Sequence, residues 1–120
     1  KTEKYIDDNA AVALKLGKPL VIEEFGLPRD GQSFGPASTT NLRDQYFGKI
    51  LSRIGKQNIS GANFWAFGGT ARPIKGQLFC KEGDERMGDP PMEEQGLNSV
   101  FDSDRSTWKV INAARARLSK

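Results

Sequence analysis

Histidine is absent from the 120 residues of this chain. Its absence removes Ser-His-Asp and Cys-His arrangements, histidine metal sites and histidine general bases. Chemistry here must rest on carboxylates, lysine, tyrosine or backbone groups. Cysteine occurs once, at Cys80, so no internal disulfide can form. No apolar run approaches the length, about 18 residues, that suggests a membrane span. The charges nearly balance: 18 Lys and Arg against 15 Asp and Glu leave a net +3. The densest basic group, Arg115, Arg117 and Lys120, lies at the C-terminus, where cations suit a helix end. Neither nucleic acid nor membrane is therefore expected as a partner. The first residues, "KTEKYIDDNAA", lack the apolar core of a signal peptide.

What remains is an ordinary globular composition, 37% hydrophobic and 28% charged. The length fits one domain, residues 1–120. Residues 4–16 read as a helix with Ile6, Ala10, Ala13 and Leu14 on one face, closed by Gly17 and Pro19. "LVIEEF", residues 20–25, reads as a strand buried on both faces until its glutamates. A loop rich in Gly and Pro follows. Residues 40–54 form the clearest helix, with an apolar stripe of Leu42, Tyr46, Phe47, Ile50, Leu51 and Ile54. Ser38, Thr39 or Thr40 is placed to cap its start. "ISGANFWAF", residues 59–67, reads as a second strand, ended by "GGTARP". A polar connection of roughly residues 68–103 leads to a last helix, whose buried stripe is Thr107, Ile111, Ala114 and Leu118. Connections longer than about 15 residues are unusual in compact domains and often functional.

Helix, strand, helix, strand, helix is an α/β order with parallel strands covered by helices. Two parallel strands leave open edges and rarely make a complete domain. The chain therefore reads as part of a larger fold.

The two strand ends carry a resemblance. "KPLVIEEFG", followed about 40 residues later by "GANFWAFGG", resembles the last two strands of family-five glycoside hydrolases, and most nearly the β-mannanases among them. "GDPPMEEQGLNSVFDSDRSTWKVI" resembles their tail. The resemblance implies the C-terminal part of a TIM (β/α)8 barrel: helix six, strand seven, helix seven, strand eight and helix eight. A whole barrel takes about 250 residues. The family's acid/base glutamate lies on a fourth strand in an Asn-Glu-Pro type motif, and no Asn-Glu dipeptide occurs here. The implied function is that of a retaining endo-β-1,4-mannanase working by double displacement on a β-mannan polysaccharide or oligosaccharide. Its partner is the N-terminal remainder of the barrel, which holds the acid/base. Two alternatives stand beside it: a cellulase-like β-glycanase of the same clan, and a non-catalytic split-barrel fragment that assembles with an N-terminal partner. The likeness implies no cofactor and no metal, and an exported enzyme.

Barrel enzymes place reactive groups at the C-terminal strand ends. The resemblance makes Glu24 the nucleophile. Strand alternation then turns Glu23 away, towards the helix layer or a neighbouring loop. Away from the motif, the pair reads more readily as structural carboxylates, one in an ion pair. Trp65 becomes the flat platform beneath the sugar, with core packing as its other reading. A non-proline cis peptide after Trp65 is a further expectation from the likeness. Phe25 and Arg29 are candidate substrate contacts; core packing and a turn ion pair with Asp30 are their other readings. Asp102 and Asp104 lack the glycine and terminal glutamate of a calcium loop, and helix capping accounts for Asp104. Asp84, Asp89, Glu93 and Glu94 read as a solvated loop, and Trp108 as packing.

Overall fold

Apolar stripes at helical spacing and β-branched runs fold where the sequence places them. The computed structural model describes residues 1–118. Helix α1 is Thr2–Lys15, strand β1 Leu20–Phe25, helix α2 Asn41–Leu51 and strand β2 Ile59–Phe64. Strands β3, Phe67–Gly69, and β4, Val100–Phe101, precede helix α3, Arg105–Leu118. A single 3-10 turn, Asp30–Gln32, lies between β1 and α2.

β1 pairs with β2 in parallel, and β3 with β4 likewise. The expected second strand is thus broken after Trp65, where Ala66 takes a φ of 62° and re-aims the chain. The peptide bonds of the described residues are all trans, Trp65–Ala66 included, so the cis bond expected there does not form.

One face of β1 and β2 meets the helices. Phe25, Phe47, Ile50, Leu51, Ile59, Val100 and Ala114 bury together with Ile6 and Ala10. Phe47 is fully buried, its ring 4.9 Å from that of Phe25 and 5.9 Å from that of Phe64. The opposite face is bare: Val21 is 45% exposed. On α1 only Ile6 and Ala10 are buried, and Leu14 faces solvent. The radius of gyration is 15.8 Å, against about 13.6 Å for a compact domain of this length. The chain is thus less compact than a closed domain, with helices packed on one face of β1 and β2 and the other face uncovered.

Two local findings differ from the sequence reading. The start of α2 is capped from a distance. The Asp30 carboxylate accepts from the amides of Asn41 (2.9 Å) and Leu42 (3.0 Å) and from the Thr39 hydroxyl (2.6 Å), while Thr40 makes no capping bond. The long connection is also tied down rather than loose. Gly88, at φ +88°, lies so close to Ala66 and Phe67 that a Cβ would meet their backbone at 2.6–2.8 Å. Only glycine fits there.

Two outcomes follow for the assembled barrel. Phe47→Ala should lower stability by about 3–5 kcal/mol, read as a shifted denaturant midpoint with unchanged slope. The Asp30 carboxyl titrates below its ordinary 3.8 because the Thr39 hydroxyl and the Leu42 amide donate to it. A depressed carboxyl stabilises the fold above its unfolded value, and that contribution is lost as pH falls through the folded value. Asp30→Asn should therefore be less stable than the parent at neutral pH, and the gap should close as pH drops below 3.8.

Candidate active site

The geometry of the site begins with an irregular pairing. Between Ile22 and Phe25 β1 advances three residues while its partner, from Ala62 to Phe64, advances two. One residue of β1 is extra, and Glu24 takes a φ of 57°. Such a bulge re-aims a side chain. Strict alternation would place Glu24 with Leu20 and Ile22 against the helices. The bulge instead hands that side to Phe25 and leaves Glu24 exposed. Glu23 is also exposed, on the face of Val21, so its expected turn towards the helix layer is corrected.

The Trp65 amide donates to the Phe25 carbonyl at 2.8 Å, which fixes the indole beside the end of β1. Gly26 permits the approach, since a Cβ there would lie 3.2 Å from the Trp65 Cβ. Glu24, Gly26, Trp65, Glu93 and Asn98 line an open hollow of about 400 Å³. Two other hollows are of similar size, about 420 Å³ around Phe34 and Ile74 and about 500 Å³ around Leu27 and Leu42. Neither contains a carboxylate or an indole. Chemistry, not volume, singles out the hollow at the strand ends.

Phe25 and Arg29 are corrected as substrate contacts. Phe25 is 5% exposed and packs edge-on against Phe47 and Tyr46, because the bulge turns it outward to the helices. Arg29 is 1% exposed. Its Nη2 donates to Asp104 Oδ2 at 2.6 Å, its Nη1 lies 3.3 Å from the Ser99 carbonyl, and its guanidinium covers the Phe101 ring at 4.9 Å. Asp30, free of Arg29, caps α2. Phe67 faces solvent, and Trp108 packs edge-on against Phe64 and Phe67 while donating to the Phe101 carbonyl.

Asp104 is more than a helix cap. Its Oδ2 also accepts from Arg43 Nη1 at 3.2 Å and from the Phe101 amide at 2.9 Å. Burial, and then the neighbouring Arg29 charge, lower the Arg43 pKa to about 10, against the pull of Asp104, Asp44 and Asp89. Asp89 and Gln95, in the connection expected to be solvated, are 6% and 4% exposed. Asp89 Oδ2 accepts from the Gly96 amide and the Ser99 hydroxyl, each at 2.8 Å. Gln95 Nε2 donates to the carbonyls of Asp89, Pro90 and Glu93. Sequence reasoning missed these groups, and Glu93 and Asn98 as lining residues. The available signal was the length of the connection together with its Asp-Pro-Pro and Gln-Gly turns.

Parallel strands with helices outside, and a carboxylate and an indole brought together at their C-terminal ends, fit a segment of a (β/α)8 barrel. The family described as glycoside hydrolase family 5 beta-mannosidase-like matches residues 1–120, and the chain belongs to it. It is similar to solved structures of a family 5 mannosidase from Rhizomucor miehei. A glutamate-to-alanine variant of that enzyme superposes with a TM-score of 0.79 at 31% identity, covering 96% of this chain and 30% of that one. A second such variant, in complex with mannosyl-fructose, gives 0.76 at 30% identity, covering 98% and 32%. A further structure gives 0.77 at 32% identity, covering 98% and 31%. None of the curated proteins matches. The chain thus spans about three tenths of the length of these structures, and forms the C-terminal part of the barrel.

Removing Asp104 leaves two buried guanidiniums without their shared carboxylate. In the assembled barrel Asp104→Ala should cost about 3–5 kcal/mol by denaturant unfolding. Asp104→Asn, which keeps the shape and loses the charge, should fall between it and the parent.

Proposed function

We infer that this chain supplies the nucleophile and the sugar platform of a retaining β-mannoside hydrolase acting on β-1,4-mannan, with Glu24 as nucleophile. The observation that carries the reading is the shared hollow of Glu24 and Trp65 at the ends of neighbouring strands. A retaining glycosidase sets two carboxyl groups about 5–5.5 Å apart across the scissile bond. Glu24, ionised, attacks the anomeric carbon and forms a covalent glycosyl-enzyme. The second carboxyl, on a strand outside this chain, protonates the leaving oxygen and then takes a proton from the water that releases the sugar. Trp65 offers its flat face to the C–H surface of the ring. The matched structures support a role for glutamates, since two of them carry glutamate-to-alanine substitutions and one of those holds a mannosyl sugar.

Cleavage inside the polymer is the reading the sequence motifs favour. Release of single terminal mannose units is the second reading, favoured by the matched structures, which are all of a mannosidase. The viscosity of a mannan solution separates them. Internal cleavage drops viscosity while few reducing ends form, whereas terminal cleavage frees mannose at nearly constant viscosity. Export of the enzyme belongs to the same proposal, because polymeric mannan lies outside the cell.

The chain alone, lacking the second carboxyl, should be inactive on mannan; joined to the remaining strands it should turn over. In that complete barrel, Glu24→Gln should lower kcat by about a thousandfold or more with binding retained. Turnover by the chain alone, or an active Glu24→Gln barrel, would refute the assignment.

A further inference from the structure

The proposed mechanism makes no use of Asn98, which lies half-buried in the same hollow as Glu24 and Trp65. Its side-chain amide has no hydrogen-bond partner among the described residues. The backbone on either side of it is fastened. The Gly96 amide donates to Asp89 at 2.8 Å, and the Gly96 carbonyl lies 3.4 Å from Arg29 Nη1. On the other side, the Ser99 carbonyl accepts from Arg43 at 3.0 Å and from Arg29 at 3.3 Å. The Ser99 hydroxyl lies 2.8 Å from Asp89 Oδ2 and 2.6 Å from the Met87 carbonyl oxygen. Every one of these anchors is buried, so the chain spends buried charge on holding the main chain around one unpartnered carboxamide.

We propose that Asn98 is a substrate-binding residue of this site, its carboxamide exchanging hydrogen bonds with the ring hydroxyls of the sugar that Trp65 supports. A carboxamide offers two donors and an acceptor in one plane, which suits a pair of adjacent hydroxyls. The fastened main chain on either side of Asn98 lowers the ordering cost of binding there. The proposal rests on the reading of the hollow as the sugar site.

The test uses the complete barrel, with para-nitrophenyl β-mannoside and a β-1,4-manno-oligosaccharide as substrates. Asn98→Ala and Asn98→Asp are compared with the parent, and Glu24→Gln is run beside them. Asn98→Ala should lower kcat/KM by about tenfold or more on both substrates. Its thermal midpoint should equal that of the parent, because no internal bond is lost. Asn98→Asp, which keeps the size and the acceptors but not the donors, should fall between them. If Glu24→Gln is inactive while both Asn98 variants keep kcat/KM within about twofold, the proposal is wrong and the site reading stands. If Glu24→Gln is active, the site reading falls and takes the proposal with it. A lowered midpoint in Asn98→Ala would also overturn the proposal, since the amide would then be holding the fold.

Discussion

One carboxylate oxygen, Asp104 Oδ2, receives the Arg29 and Arg43 guanidiniums and the Phe101 amide. The rest of the rim depends on that meeting. Arg29 comes from the loop after β1, Arg43 from α2, Phe101 from β4, and Asp104 stands directly before α3. Elements from the two halves of the chain are brought to one point. Its net contribution to stability need not be large, because stripping water from three charges offsets much of their attraction. Its value lies in geometry: two cations cannot stay dry without that carboxylate, so alternative arrangements of the four segments are disfavoured. The lowered pKa of Arg43 comes first from its burial and then from the nearby Arg29 guanidinium.

This arrangement lets a partial barrel hold its shape from outside. The buried apolar residues come from the helix side of β1 and β2, and none of the stabilising contacts described above crosses the bare inner face. Aromatic packing of Phe25 on Phe47 fixes the sheet to α2, and the ionic cluster fixes the loops beyond the strand ends. What the chain lacks is cover for the inner face, which a (β/α)8 barrel takes from its other strands.

The sequence made some of this legible and hid the rest for physical reasons. β1 was readable to the residue, because a β-branched run between Pro19 and Gly26 has one good conformation. The helices were readable from their stripes, although Leu14 and Leu42 face solvent where the pattern buries them. A stripe shows which face is apolar and not whether a neighbour exists to cover it. Arg29 was misjudged because a loop arginine beside an aspartate suggests a turn pair. Its true partner is 75 residues away, and no local pattern encodes such a distance. Asp89 and Gln95 were invisible for a related reason. Acidic and amide residues in a Pro-rich stretch read as solvated unless the main chain they bind is known. The hollow itself was half legible: motif likeness put Glu24 and Trp65 together, whereas Glu93 and Asn98 reach it only through the folding of the long connection.

The direction of Glu24 shows where period-two reasoning fails. Alternation from Leu20 and Ile22 sends residue 24 into the helix layer, where a carboxylate would be dry and without a donor. The bulge avoids that outcome at the cost of a left-handed residue, about 1–3 kcal/mol for a non-glycine side chain. It also lets Phe25 take the vacated place against Phe47, so the strain is offset within the core by aromatic burial. A second left-handed residue, Ala66, breaks the neighbouring strand directly after Trp65. The two irregularities are joined through the bond from the Trp65 amide to the Phe25 carbonyl. Two regular strands would bury one of the two side chains or separate them. The pair of kinks lets adjacent strands stay packed outside while presenting a carboxylate and an indole to the same space.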